Sequence, residues 1–275
     1  MKKRKSAVSI VIAVAGILIS SVGAWACHPW LNVNNYFTES STPVRFHIAY
    51  GHNYPFGHSF YDNGAIDKLY FINPKGQEER AELRVTGKDK QSQVQFESTG
   101  DLTEGSYLIV MESKGNFGAF TKKGYQRKPK KELKNETVKG DVIYSQNYCK
   151  AVVNINGKAG GDSYSRVLGH GLEIVPLRDP GELHTNDILP LKVLHDGKPL
   201  DESVMVYATY MGFSNKTDVF AYTAWASAGK KGTAEIRLFQ PGTWMIFVNH
   251  KLPHPNPELA DKYSYQATLT FEVKP

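Results

Sequence analysis

The chain has 275 residues, with 33 Lys and Arg against 27 Asp and Glu and a formal net charge of +6 at pH 7. Four of the positive residues lie in 2–5, so the rest of the chain is close to neutral. A nearly neutral chain gives no reason to expect binding to nucleic acid or to an anionic membrane. The length allows one large domain or two smaller ones, each with its own core.

The N-terminal residues have the pattern of a secretory signal peptide. The basic residues 2–5 precede an apolar run over 7–20 and then Ala24-Trp25-Ala26, a small-x-small sequence. The apolar run is shorter than the roughly 20 residues that a membrane-spanning helix needs. We therefore expect a signal peptide over 1–26, cleaved after Ala26, and a periplasmic or secreted protein. Lipid attachment at Cys27 is a weaker alternative, because Ala24 stands where an aliphatic residue is usual.

Short segments of the chain alternate hydrophobic and polar residues, with Gly, Pro, Asn and Asp between them. This alternation is typical of half-buried β-strands. In the first half it predicts strands over 44–50 and 81–85. The segment 121–140 is basic and has no apolar pattern, so it predicts a solvated, mobile loop.

The second half continues in the same way. The Gly and Pro positions of 168–183 suit a transition into a second domain. A strand, a tight Asp196-Gly197 turn and a strand over 204–210 follow. Further alternation predicts strands over 234–238 and 269–273.

A weak internal repeat supports two similar units. "LTEGSYLIVM" at 102–111 and "FQPGTWMIFV" at 239–248 share an apolar residue, two spacers, Gly, a hydroxyl residue, an aromatic and an apolar strand. Each segment lies near the end of its half, which favours a repeated domain over a chance match. The sequence thus predicts an all-β protein with two antiparallel β-sandwich domains over 27–168 and 169–275.

The nine histidines are the most unusual feature of the sequence. His52 is in phase with the apolar residues of the strand over 44–50, and His250 with those of the strand after Gly242. Both follow the apolar part of a strand, at its core-side rim. With His28, near the start of the mature chain, they predict one site that holds a metal ion.

The donor types suit a transition metal. Neutral imidazole binds Zn, Cu, Fe and Ni, and cleavage after Ala26 would let Cys27 add an amine and a thiolate. His58 is a further helper. Spacing alone also allows each rim histidine to be an ordinary polar residue, and Cys27 to form a disulfide with Cys149 in an oxidising compartment. Three other histidines are assigned to structural or exposed turns: His170, His184 and His195.

Several short motifs together resemble one bacterial family. They are "HPWLNV" from His28, "GH" at 51–52 followed by "YP", "LEIVPL" at 172–177, "DGKPL" at 196–200 and "PGTW" at 241–244 with a later His. The chain is similar to a periplasmic family labelled as a domain of unknown function and linked to nickel and cobalt uptake. Some of its members are soluble components of energy-coupling-type nickel transporters.

The resemblance implies immunoglobulin-like or transthyretin-like sandwiches and capture or delivery of Ni(II) or Co(II), with copper or zinc as alternative ions. It also implies a membrane metal-transporter component as a partner. Its histidines correspond to His28, His52 and His250. Cys27 departs from the family, which usually has alanine there, so Cys27 becomes a further candidate ligand or a disulfide partner.

No catalytic signature stands out, since the sequence contains no G-x-S-x-G elbow, H-E-x-x-H motif or phosphate-binding loop. We therefore expect a metal-binding protein that is not an enzyme. One alternative is a metal-free adhesion or carbohydrate-binding module. The other is a copper oxidase that uses His28 at the chain start. A sugar-stacking face of the module would use four aromatics: Trp30, Tyr36, Tyr54 and Tyr61.

Overall fold

The computed structural model describes residues 27–57, 59–79, 84–88, 94–98, 101–216 and 219–275. The predicted signal peptide and His58 lie outside the described residues. Within these ranges the chain forms strands and short 3-10 turns and no α-helix. No helix in the described part of the chain is long and apolar enough to cross a membrane.

Twenty strands are described. In chain order they are β1 His28–Val33, β2 Phe37–Thr38, β3 Arg45–Gly51, β4 Ser59–Phe60, β5 Ile66–Ile72, β6 Glu78–Glu79, β7 Arg84–Lys88, β8 Val94–Glu97, β9 Gly105–Ser113, β10 Asn116–Thr121, β11 Gly124–Gln126, β12 Val138–Ile155, β13 Glu173–Pro176, β14 Ile188–His195, β15 Lys198–Pro199, β16 Val204–Tyr210, β17 Tyr222–Ala226, β18 Thr233–Arg237, β19 Gly242–Pro253 and β20 Lys262–Val273. The 3-10 turns are Asn63–Ala65, Lys130–Leu133, Pro180–Glu182 and Ala228–Lys230.

The strands form three sheets. A long central sheet has the order β17-β16-β19-β20-β12-β9-β5-β6, with β2, β10 and β11 attached. The N-terminal sheet has the order β1-β3-β8-β7, with β4 on β3. The C-terminal sheet has the order β13-β14-β15, with β18 on β14.

The two small sheets cover opposite faces of the central sheet. On one face, Phe46 and Ile48 of β3 pack with Ile109 of β9 and Val153 of β12. On the other face, strands β13, β14 and β18 pack against both halves of the central sheet in one large core. Each face is a sheet-on-sheet core, so the prediction of an all-β sandwich protein is confirmed.

The central sheet joins the two halves of the chain through β12 and β20. These strands run parallel, with Ile143 opposite Lys262 and Ala151 opposite Thr270. The two sandwiches therefore share one continuous sheet. The predicted boundary between 168 and 169 divides the chain within this arrangement and stays a prediction.

Strand β1 is buried on both faces, which period-two alternation does not predict. Its open edge points at the central sheet. The Thr268 hydroxyl donates to the Pro29 carbonyl oxygen at 3.0 Å, and the Thr270 hydroxyl donates to the Leu31 carbonyl oxygen at 2.9 Å. Side chains above and below that edge are then both covered, and the edge is closed to other strands.

Several strands agree with the sequence pattern. The alternation over 204–210 corresponds to β16, and that over 234–238 to β18. The turn between β14 and β15 has positive φ at Asp196 (48°) and Gly197 (74°), as the Asp-Gly hairpin requires. Strand β20 begins at Lys262, seven residues before the predicted start, because β19 pairs with it over its whole length and β12 pairs with it from Lys262 to Thr270.

The basic segment 121–140 is more ordered than predicted. It contains β11, a 3-10 turn and the start of β12. Leu133 anchors the turn in a small core with Ala119, Val142 and Ala260. A single buried leucine is too sparse to give an apolar pattern in the sequence, so the loop prediction missed it.

Candidate metal site

The candidate site lies where the described chain begins. His28 pairs with Gly51 in the antiparallel register of β1 and β3. Continuing that register by one residue sets Cys27 opposite His52. The two side chains meet there, with Cys27 Sγ 3.0 Å from His52 Nε2.

His28 is the second imidazole of this corner. Its ring centroid is 6.1 Å from that of His52, in an edge-on arrangement. The ring is buried and stacks on Phe247 of the central sheet, with centroids 4.1 Å apart. Trp30, two residues along β1, flanks it at 5.6 Å. The strand register thus brings Cys27, His28 and His52 together on an aromatic base.

His250 does not join this corner, contrary to the prediction. It has the predicted phase with Trp244, Ile246 and Val248, which belong to the core under the C-terminal sheet. Phe247, on which the His28 ring stacks, faces the opposite side of the central sheet. Strand β19 also continues to Pro253, so His250 is not at a strand end. Alternation correctly predicted which residues of β19 share a face with His250. It does not reveal which face of the central sheet another strand, such as β1, will cover.

His250 lies instead beside His195, which the sequence analysis assigned to a structural or exposed turn. Their ring centroids are 6.5 Å apart. His250 Nε2 lies 3.6 Å from Glu202 Oε1, and His195 Nε2 lies 3.6 Å from Asp196 Oδ2. Burial lowers the pKa of His250; the carboxylate of Glu202 opposes this shift and the His195 ring adds to it. This second histidine pair had no signal in the linear sequence beyond the Asp-Gly hairpin next to it.

The two cysteines are not joined in the structure. Cys149 is fully buried on the central sheet, and its thiol donates to the Pro29 carbonyl oxygen at 3.4 Å. Burial raises the pKa of this thiol to about 12. The Cys27 thiol is engaged with His52 instead. The Cys27–Cys149 disulfide that the sequence allows is therefore not formed in the structure.

The four aromatic residues of the predicted sugar-stacking face do not form an exposed surface. Trp30, Tyr36 and Tyr54 are buried, and Trp30 and Tyr54 pack edge to face with centroids 5.9 Å apart. Tyr61 is only partly covered and packs against the core beneath the N-terminal sheet. Aromatic rings in such positions stabilise the sandwich and do not offer a face to a ligand.

Within the described part of the chain, no group of three or more His, Cys, Asp or Glu side chains is already spaced to hold a metal ion. The Cys27–His52 contact supplies two donors in place. A third donor at this corner requires a rotation of the His28 ring or the amine of a chain start at Cys27. The residue types still fit a transition metal, since thiolate and imidazole are both established ligands for such ions.

The fold and this corner define an all-β sandwich protein with a cluster of Cys and His side chains at the beginning of its first strand. The chain belongs to the family described as domain of unknown function (DUF4198), whose model matches residues 24–252. The match ends within β19, before β20, and includes Cys27, His28, His52 and His250. No curated protein matches the chain.

The solved structures to which the chain is similar are distant. A marsupial T cell receptor has 9% sequence identity and a TM-score of 0.22, covering 89% of this chain and 71% of its own. The adhesin InvE of Yersinia pseudotuberculosis has 10% identity and a TM-score of 0.21, covering 89% of this chain and 58% of its own. A chimeric titin Z1Z2 has 9% identity and a TM-score of 0.19, covering 89% and 98%.

Proposed function

We propose that this chain is an exported periplasmic protein that binds a transition-metal ion, Ni(II) or Co(II), and delivers it to a membrane transporter component. Cys27 and His52 would bind the ion, with His28 beside them. The observation that carries the proposal is the 3.0 Å contact between Cys27 Sγ and His52 Nε2 at the start of β1.

The two donor atoms are close enough to bind one ion. A thiolate about 2.3 Å and an imidazole nitrogen about 2.1 Å from one ion lie about 3.1 Å apart at a right angle, and about 3.6 Å apart at a tetrahedral angle. The hydrogen-bonding contact of 3.0 Å is close to both values, so the two side chains could bind one ion after a small movement. Right-angle coordination by nitrogen donors is typical of Ni(II) and Cu(II), whereas zinc prefers a tetrahedron.

The sequence of the leader supports the same role. Cleavage after Ala26 would make Cys27 the first residue, so its amine and thiolate could chelate the same ion next to His52. Capture and release need no chemical transformation, so the proposed protein is a binder and not an enzyme. Coordination requires an unprotonated imidazole and a thiolate, so metal affinity falls on acidification.

Native mass spectrometry of the exported protein, with and without Ni(II), tests the proposal. We expect a chain that starts at Cys27 and takes up one nickel ion at this corner. Cys27→Ser and His52→Ala should each weaken nickel binding at least tenfold. His184→Ala, which removes an exposed histidine elsewhere, should leave it unchanged.

Unchanged nickel affinity in both Cys27→Ser and His52→Ala would refute the assignment of the site. Absence of uptake of nickel, cobalt, copper and zinc would leave a metal-free adhesion module as the better hypothesis. A copper-loaded protein that consumes oxygen in the presence of a reductant would instead support the oxidase alternative.

A further inference from the structure

The histidine pair on the other face of the central sheet is built differently from the corner at Cys27. His250 is 5% exposed, and its Nε2 makes no hydrogen bond. A buried polar atom without a hydrogen bond is energetically costly, and such atoms often have a functional role. The atom faces Glu202, whose Oε1 lies 3.6 Å away, beyond hydrogen-bonding distance.

A backbone carbonyl selects the tautomer of the neutral His195 ring. Its Nδ1 lies 2.5 Å from the carbonyl oxygen of Gly171, which can only accept a hydrogen bond. The proton of the neutral ring is therefore on Nδ1, and the lone pair is on Nε2. A histidine whose Nδ1–H is held by a carbonyl oxygen in this way is the usual form of a metal ligand.

Two carboxylates border the two imidazoles. Glu202, between β15 and β16, has a side chain that is 65% exposed, and that of Asp196, in the hairpin after β14, is 70% exposed. Both can rotate without disturbing the core. Tyr265 of β20 pairs with His250 in the central sheet. Its ring centroid is 5.7 Å from that of His195, so the tyrosine ring borders the cluster on the side of the central sheet.

We propose that His195 and His250, with Glu202 and Asp196, form a second site that binds a borderline divalent cation such as Zn(II). Two imidazole nitrogens with one or two carboxylates are a usual ligand set for zinc. The site contains no thiolate and lies on the opposite face of the central sheet from Cys27. It is therefore independent of the proposed nickel corner.

Zinc binding by the double variant Cys27→Ser/His52→Ala tests this site in isolation. Isothermal titration with ZnCl2 should give one equivalent of bound zinc. Adding His195→Ala, or Glu202→Gln, should weaken that binding at least tenfold, whereas adding His184→Ala should not change it. Unchanged binding on loss of His195, or no zinc uptake by the double variant, would overturn the inference.

Because His250 is buried and His250→Ala could unfold the protein, two further measurements test its role without mutating it. In the double variant, histidine NMR should show zinc-dependent shifts for the rings of His195 and His250 and none for His184. Co(II) should give visible absorption at this site without the near-ultraviolet thiolate band that Cys27 would contribute in the wild type. Shifts confined to other histidines would refute the site.

The two proposals fail separately. Nickel binding that survives His195→Ala while zinc binding is lost supports both sites. Loss of nickel binding in Cys27→Ser with zinc binding unchanged supports the second site as independent of the first. Retention of nickel affinity in Cys27→Ser/His52→Ala refutes the proposed function alone, provided that His195→Ala does not abolish that affinity.

Discussion

The buried ion pair between Lys150 and Glu173 is the interaction whose loss should destabilise the protein most clearly. Lys150 Nζ lies 2.5 Å from Glu173 Oε1, and the two side chains are 2% and 0% exposed. The pair connects β12 of the central sheet to β13 of the C-terminal sheet. Glu173 also accepts hydrogen bonds from the backbone amides of Leu168 and Gly169, at 2.8 to 3.1 Å.

Removing one partner leaves the other charge buried without compensation. We expect Lys150→Met and Glu173→Gln each to lower the free energy of unfolding by about 3–5 kcal/mol. For a domain of this size that corresponds to a fall in Tm of roughly 6 to 20 °C. The double variant Lys150→Met/Glu173→Gln removes both charges, and the amide oxygen of Gln can still accept from Leu168 and Gly169.

The double variant should therefore be less destabilised than the sum of the single variants, by at least about 2 kcal/mol. Urea unfolding followed by tryptophan fluorescence gives the four free energies of the cycle. As a matched control, Lys158→Met breaks an exposed pair with Glu104 and should cost less than about 1 kcal/mol. Additivity within about 0.5 kcal/mol would refute the view that the two charges compensate each other.

Three further predictions concern the core and the first strand. The His170 ring, whose Nε2 lies 3.3 Å from Glu112 Oε1, lowers the pKa of Glu112 from 4.5 to about 2, so the stabilisation from this carboxylate is present above pH 4.5 and lost as the pH falls towards 2. Glu112→Gln should therefore make the urea midpoint of unfolding less dependent on pH over that range, and parallel acid profiles of the variant and the wild type would contradict this. Trp30→Ala should lower the free energy of unfolding by about 3–5 kcal/mol in urea titrations, and a cost below about 1 kcal/mol would contradict its buried position. Thr270→Val removes the hydrogen bond to β1 and should cost about 1–2 kcal/mol and speed amide exchange in β1, while unchanged exchange would argue against the bond.

The strands were predictable wherever one face is core and the other is solvent. Val204 and Val206 of β16 are buried, and Met205 and Tyr207, which alternate with them, are partly exposed, so alternation locates this strand correctly. Strand β1 escapes the rule, because its edge is directed at the central sheet and both its faces are covered. The sequence of one strand contains no information about which neighbour its edge will meet.

The candidate site was predicted in part for the same reason. Cys27, His28 and His52 come together through the register of one hairpin-like pair, β1 with β3, which is a local consequence of two adjacent strands. Bringing His250 to them would have required knowing which face of the central sheet β1 covers. His195 was missed because its role depends on Gly171, a carbonyl on a different segment of the chain.

The internal repeat explains why the two histidine clusters lie on opposite faces. Gly105 and Gly242 both have positive φ and start β9 and β19. These two strands run in the same direction, since β9 is antiparallel to β12, β12 is parallel to β20 and β19 is antiparallel to β20. The aromatic two residues later faces the N-terminal core in the first copy, Tyr107, and the C-terminal core in the second, Trp244.

Two copies that run in the same direction within one sheet and face opposite ways are related by a two-fold axis along the strands, between β12 and β20. The N-terminal and C-terminal sheets therefore cover opposite faces of the central sheet, as observed. Strand β19 presents Phe247 to one side, beneath His28, and His250 to the other, beside His195. The side chains of one strand therefore support both proposed sites, and the thickness of the central sheet separates them. This separation is why a variant of either site can be tested while the other remains intact.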